Sequence, residues 1–186
     1  MLTMAVLGCR LSRHLPATVI GADKIDDLAV LQYSGQTKSI AKFRKPLDIQ
    51  IGDMVAVIGH PLHGLVAIKP IFEIGKVREF KAERLRRLWR FAIDADIRRG
   101  NSGGPAIDDR GYVVGVVSAK INTPAMFKCT GKVHRDIGII IRQDRALRFL
   151  GRFYIAYTGD DVRAPLDDKL LFDVAHAFVE RIGCWK

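Results

Sequence analysis

Gly100-Asn101-Ser102-Gly103-Gly104-Pro105 places one hydroxyl inside a run of glycines. Glycines let a backbone turn tightly and let another backbone approach closely. Such a turn can aim the N–H groups of Gly100 and Ser102 at one point, where they would stabilise negative charge on an attacked carbonyl oxygen. The chemistry in view is acyl transfer with Ser102 as nucleophile. A serine hydroxyl is weak without an adjacent base, so a histidine and a carboxylate must be brought to it from elsewhere. A glycine-rich turn alone is more often only a turn.

The chain has five histidines. His14 lies on the run into an apolar segment and is weighed as a substitute base. His60 and His63 sit in a Pro-containing loop and read as loop polar groups. His134 precedes a strand pattern and His176 falls in a helical one; both read as structural or solvated. His60 and His63 with Cys129 lack a further ligand at metal-site spacing, so no metal is expected, and no cofactor either. Cys9, Cys129 and Cys184 are odd in number, which leaves at least one thiol unpaired. None has a histidine nearby that would suit a cysteine nucleophile.

Two further segments give the serine turn its context. Asp26-Asp27-Leu28-Ala29-Val30-Leu31 lies upstream, and Gly115-Val116-Val117-Ser118-Ala119-Lys120 lies downstream. Between them comes Ile58-Gly59-His60-Pro61-Leu62-His63-Gly64. In order and kind, these segments and GNSGGP resemble the trypsin-like serine peptidases, in particular their HtrA/Deg-like bacterial branch, over roughly residues 15–150. By that resemblance Asp27 is the carboxylate that orients the catalytic histidine, and Asp26 is its solvated neighbour. Gly100 and Ser102 supply the oxyanion hole, and Ser118, Ala119 and Lys120 pair with the substrate backbone. Asp96, six residues before Ser102, stands where peptidases that cleave after Lys or Arg carry the acid of the specificity pocket; its other reading is an ion pair with a neighbouring arginine.

The resemblance also exposes a gap. The family's histidine lies upstream of its Asp, and Met1–Cys9 resembles that segment with Val6 at the histidine position. Valine accepts no proton. The implied activity is a serine endopeptidase acting through Ser102 but impaired for want of its histidine. The alternatives are a non-catalytic relative that binds peptides or a partner in the surviving cleft, and a decayed gene fragment.

The elements that must position these residues are mostly strands. Short apolar runs recur between turn signals at Ala17–Gly21, Leu28–Tyr33, Met54–Gly59, Val66–Phe72, Trp89–Ile93, Tyr112–Ala119 and Ile137–Ile141. Asp108-Asp109-Arg110-Gly111 reads as a hairpin turn, and Pro46–Gly52 as the loop entering the Met54 strand. Helices are expected over Arg142–Leu150 and Asp167–Ile182, the second started by Asp167 and Asp168 and ended by Gly183. The fold class is all-β. The resemblance implies a chymotrypsin-like double barrel, its first barrel shortened at the amino terminus and its second running from about residue 50 to 141. The domain boundaries are 1–150 for the peptidase domain and 151–186 for a carboxy-terminal extension with one helix.

The chain has 186 residues, 48% of them apolar, enough for a sizeable core. The net charge of +10 is concentrated between Lys76 and Arg99. No nucleic-acid motif accompanies it, so a solvated basic loop is the favoured reading and nucleic acid is not the expected partner. A polypeptide is. No apolar run reaches the roughly 18 residues of a membrane span. An open edge on the first barrel would offer a route to a homo-oligomer. The resembled family is usually exported, but no convincing signal peptide precedes the domain, so the compartment stays open.

Overall fold

The structure is a computed structural model and describes residues 15–35, 37, 39–46, 48–60, 70–78, 89–120, 137–160 and 162–182. Its elements in chain order are β1 (Ala17–Asp23), β2 (Leu28–Tyr33), β3 (Lys42–Arg44), β4 (Met54–Gly59), β5 (Ile71–Arg78), β6 (Arg90–Asp94), β7 (Pro105–Ile107), β8 (Val113–Lys120), β9 (Ile137–Arg142), α1 (Gln143–Gly151), β10 (Thr158–Asp160) and α2 (Asp168–His176).

Six strands close into a barrel in the order β8-β7-β4-β5-β6-β9, with β8 pairing back onto β9. Closure removes the sheet edges. The strands at its centre are apolar on both faces for a visible reason. Val55 and Val57 of β4 join one core with Val77, Ile93, Ala106, Val114, Val117 and Ile140. Ala56 and Ile58 join another with β2 and the helices, through Leu28, Phe149, Leu171 and Phe178. The second core holds helical residues, so it lies outside the barrel wall. A strand covered on both sides reads as a continuous apolar run, not as an alternation.

β1 and β2 form a separate antiparallel pair. β2 is buried at Leu28–Val30, whereas β1 is exposed from Ala17 to Ile20. β3 lies parallel to β8 on one side and to β10 on the other. Residues after Gly151 therefore pack on the barrel. Besides β10, the Leu166 N–H donates to the Asp109 carbonyl at 2.8 Å and the Arg163 N–H to the Tyr112 hydroxyl at 3.1 Å.

Both helices sit close to where the sequence puts them. α1 follows β9 without a loop, with Asp144 in its first turn and Arg148 in its last, matching the helix dipole. The Asp167 side chain caps α2 by accepting from the Leu170 N–H at 2.8 Å. Leu171 of α2 is 0% exposed, and burying such a side chain contributes roughly 1.5–3 kcal/mol. α2 ends at His176, earlier than Ile182. The chain turns at Ala177–Phe178, and consecutive Phe178 and Val179 both bury; a continuing helix would set them about 100° apart.

Several strand expectations shift. The Val66–Phe72 strand is displaced: β5 starts at Ile71, opposite Gly59, and runs to Arg78, while residues 66–69 lie outside the described residues. The mixed polar sequence of Glu73–Arg78 hid a strand with only Gly75 and Val77 buried. β3, β7 and β10 are three residues each, too short to announce themselves by periodicity. The hairpin turn at Asp108–Gly111 is present. Gly111 takes φ +79°, and the buried Asp108 carboxylate accepts from the N–H groups of Arg110 and Tyr112.

Candidate active site

Ser102 is exposed at the crest of a turn that is otherwise held from below. Gly100 and Gly103 take positive φ, 104° and 84°, a region closed to most side chains. Asn101 is 1% exposed and staples the turn from inside. Its N–H donates to the Arg98 carbonyl at 3.0 Å, its Oδ1 accepts from the Arg98 N–H at 3.2 Å, and its carbonyl accepts from the Gly104 N–H at 2.9 Å. Two further bonds tie the turn to β8: Gly103 N–H to the Val117 carbonyl at 2.8 Å, and Val117 N–H to the Gly104 carbonyl at 2.9 Å. Among the described residues, neither the Gly100 nor the Ser102 N–H finds an acceptor, which leaves both for a ligand oxygen.

β8 carries the turn's alignment onward. Its register with β9 shifts between Val117 and Ala119, so Ser118 stands in a bulge. Bulges re-aim side chains. Here the buried Ser118 hydroxyl reaches out of the barrel wall and donates to Asp27 Oδ2 at 3.3 Å. Asp27 ends the β1–β2 turn at φ 61°. Asp tolerates that conformation better than most residues, yet it carries a cost that the surroundings must meet. Three of the named segments thus converge: the serine turn, the strand after it and the first Asp-containing hairpin.

Ala119 and Lys120 continue β8 and pair with β9 at Ile139 and Gly138. On the opposite side, pairing ends at Val117 beside the serine turn, and among the described residues no strand pairs with Ser118–Lys120 there. Asp96 lies on the approach to the turn with its Oδ2 2.8 Å from Arg98 Nε. Its carboxylate is engaged by that arginine.

Asp26 is not solvated. It is 2% exposed, and its Oδ2 lies 2.8 Å from Arg145 Nε of α1. The reason is the docking of the β1–β2 hairpin onto α1, which sequence separation concealed. Asn101 and the Ser118 bulge were also missed, because both depend on pairings far apart in the chain.

Among the histidines, His60 follows β4 directly and is half-buried. Burial, with His176 and Arg181 nearby, holds its pKa below the ordinary value. His176 stacks on Phe172 of α2, ring centroids 5.4 Å apart. Among the described residues no histidine is bonded to Asp27. Val6, His14, His63 and His134 lie outside the described residues, as do all three cysteines and residues 79–88 of the basic stretch. No described helix is long and apolar enough to cross a membrane.

Comparison with known proteins agrees with this fold. The model of the trypsin-like peptidase domain matches residues 10–116, more than half of the chain. An uncharacterised protein, y4bJ of Sinorhizobium fredii, is 32% identical over 172 residues, covering 92% of this chain and 27% of that protein. The serine protease Do-like HtrB of Bacillus subtilis is 34% identical over 112 residues, 57% of this chain and 24% of its own length. The putative serine protease HhoA of Synechocystis is 31% identical over 145 residues, 76% of this chain and 34% of its own. The chain thus spans about a quarter to a third of these relatives. The HtrA-type protease AlgW, solved with a decapeptide, superposes with a TM-score of 0.61 at 23% identity, covering 76% of this chain and 41% of that one. That likeness gives the all-β, chymotrypsin-like fold, with helices added at the carboxy-terminal end. The chain belongs to the trypsin-like peptidase domain family, in its HtrA/Deg-like bacterial branch.

Proposed function

We propose that this protein is of the serine-endopeptidase type, with peptide-bond chemistry at Ser102 and turnover impaired in this chain. The observation that carries the reading is the Ser118–Asp27 hydrogen bond. It ties the hairpin carboxylate to the strand that also holds the serine turn. Ser102 is the nucleophile, and the N–H groups of Gly100 and Ser102 receive the oxyanion. Asp27 is the carboxylate placed to orient a base and stabilise its charged form. The unpaired side of Ser118–Lys120 takes the substrate backbone as an added strand, next to the serine. That AlgW was solved with a decapeptide favours a polypeptide ligand.

Impairment follows from the amino-terminal segment, where Val6 stands at the histidine position of the resembled motif. Without the base, the oxyanion donors and binding alone typically leave about 10³–10⁴ over water. The same observation supports the second reading, a peptide-binding relative that does not turn over.

A fluorophosphonate probe separates the cases. Slow, incomplete labelling that disappears in Ser102→Ala is expected, with decapeptide binding kept in that variant. Rapid stoichiometric labelling would reveal a working base and remove the impairment. Peptide binding with no labelling at all would favour the second reading. Neither labelling nor peptide binding would overturn both.

A further inference from the structure

Asp27 sits in a conformation that its own sequence does not secure. It ends a four-residue turn at φ 61°, and its carboxylate has to meet Ser118 on another sheet. What holds that turn is helix α1 together with Arg152 and Phe153, the two residues that follow it. Three contacts dock the β1–β2 hairpin there, one on α1 and two just past its end. Gly21 of β1 lies so close to Phe153 that a Cβ there would enter the ring. Asp23 Oδ2 meets Arg152 Nη1 at 2.6 Å. Asp26 Oδ2 meets Arg145 Nε at 2.8 Å. Arg145 and Arg152 stand two helical turns apart and so share one face. Asp23 also accepts from the N–H groups of Ile25 and Asp26 at 2.9 and 3.0 Å, so the two arginines grip both ends of one turn.

The inner contact is the unusual one. A carboxylate 2% exposed is costly unless it is paired. Arg145 supplies the pair, and its own guanidinium lies 4.3 Å from the centroid of the Trp89 ring. The Trp89 carbonyl in turn accepts from the Arg142 N–H at 2.9 Å, where β9 passes into α1. Arg145 therefore belongs to the same packed unit as β9, and β9 pairs with β8, which holds Ser118 and the serine turn. Leu28, 2% exposed, anchors the other flank of Asp27 in the core shared with α1. An apolar residue at position 26 would bury as readily. The Asp26–Arg145 contact is an ion pair by distance, with Asp26 Oδ1 and Arg145 Nε both left without a hydrogen bond, and two charges buried together hold each other in place because separating them would strand both.

Resting on the acyl-transfer reading of Ser102 and Asp27, we propose that Arg145 is a positioning residue. Through its ion pair with Asp26 it fixes the turn so that the Asp27 carboxylate meets Ser118.

The test uses the full chain with ¹³Cγ-labelled aspartate. The Asp27 resonance is assigned by its loss in Asp27→Asn. Arg145→Met is expected to move it in the same direction as Ser118→Ala, and the double variant is expected to move it no further. Arg145→Lys, which restores charge, should return it part of the way. The Asp53 and Asp173 resonances should stay in place. An Asp27 resonance that ignores Arg145→Met but responds to Ser118→Ala would overturn the proposal. If Arg145→Met does not fold by circular dichroism, Asp26→Asn takes its place with the same readings. A second arm follows fluorophosphonate labelling of Ser102. With no base for Asp27 to orient, Arg145→Met should leave the slow labelling of Ser102 unchanged. Labelling slowed by Arg145→Met would mean a general structural role and sink the proposal. If native Ser102 takes no label, the acyl-transfer reading fails, and the Asp27 resonance still decides whether Arg145 sets its position.

Discussion

Gly59, the last residue of β4, faces the backbone of Gly100 and Asn101 so closely that a methyl group on it would collide with the Gly100 carbonyl oxygen and the Asn101 Cα. Gly104 makes the matching approach to the Ile58 carbonyl. The serine turn is thus seated on the end of a barrel strand by two glycines, one on each side of the contact.

Replacing Gly59 should lift that seat. Gly59→Ala is expected to lose about 1–3 kcal/mol, as overpacking commonly does, and to slow Ser102 labelling. Gly151→Ala is the control. A Cβ there meets nothing within 4 Å, and the residue lies in α1, so it should be neutral or stabilise by up to about 1 kcal/mol. Urea unfolding of both variants checks this. Equal stability would mean that the turn is not seated on β4.

Asp96 should recognise a cation only after Arg98 is removed. Its carboxylate lies 2.8 Å from Arg98 Nε. If Asp96 marks a pocket for Lys or Arg, Arg98→Ala should strengthen binding of benzamidine about tenfold, near the 1.4 kcal/mol that one charge-assisted bond supplies. Calorimetric titration reads it. The same gain in Asp96→Asn/Arg98→Ala would take Asp96 out of any specificity site.

Stability should fall on the acid side of neutrality through His60. Burial first, then His176 and Arg181, hold its folded pKa below the ordinary 6.5. The unfolded chain therefore binds that proton more readily than the native state. The native state has its full margin above that ordinary value. It loses margin as pH falls below it, and the loss levels off once the lower folded pKa is passed. The urea midpoint should drop between about pH 7 and pH 5, and His60→Gln should flatten the drop. An unchanged slope in that variant would assign the acid sensitivity to other groups.

Hydrogen exchange should separate the two ends of the molecule. Ala17–Ile20 of β1 is exposed, whereas β8 and β9 are buried in the closed barrel and pair with each other. Amides of β1 should exchange early, and those of Val113–Val117 and Ile137–Ile141 late. Comparable protection in β1 would mean that another strand, from this chain or a second copy, covers its outer edge. Light scattering would then tell the two apart.

By itself the sequence determined the family and the fold class. Glycines at 100 and 103 are required wherever a serine must crest so tight a turn, because positive φ excludes most side chains. DLAVL and GVVSAK announce strands because both are apolar beyond alternation, a mark of burial on two faces. Local rules also placed the hairpin turn at Asp108–Gly111 and the Asp167 cap, since each is closed by residues a few positions apart.

Only the tertiary structure decided which groups meet. Asp27 and Ser118 are bonded across 91 positions of sequence, and no periodicity encodes that distance. The bulge that turns Ser118 toward Asp27 arises from a mismatch between β8 and β9, a property of the pair and not of either strand. Asp26 looked solvated because a charge beside a turn usually is. It is buried because a helix more than a hundred residues later brings Arg145 to it. Burial of a charge depends on the arrival of its partner, and that arrival is settled by packing.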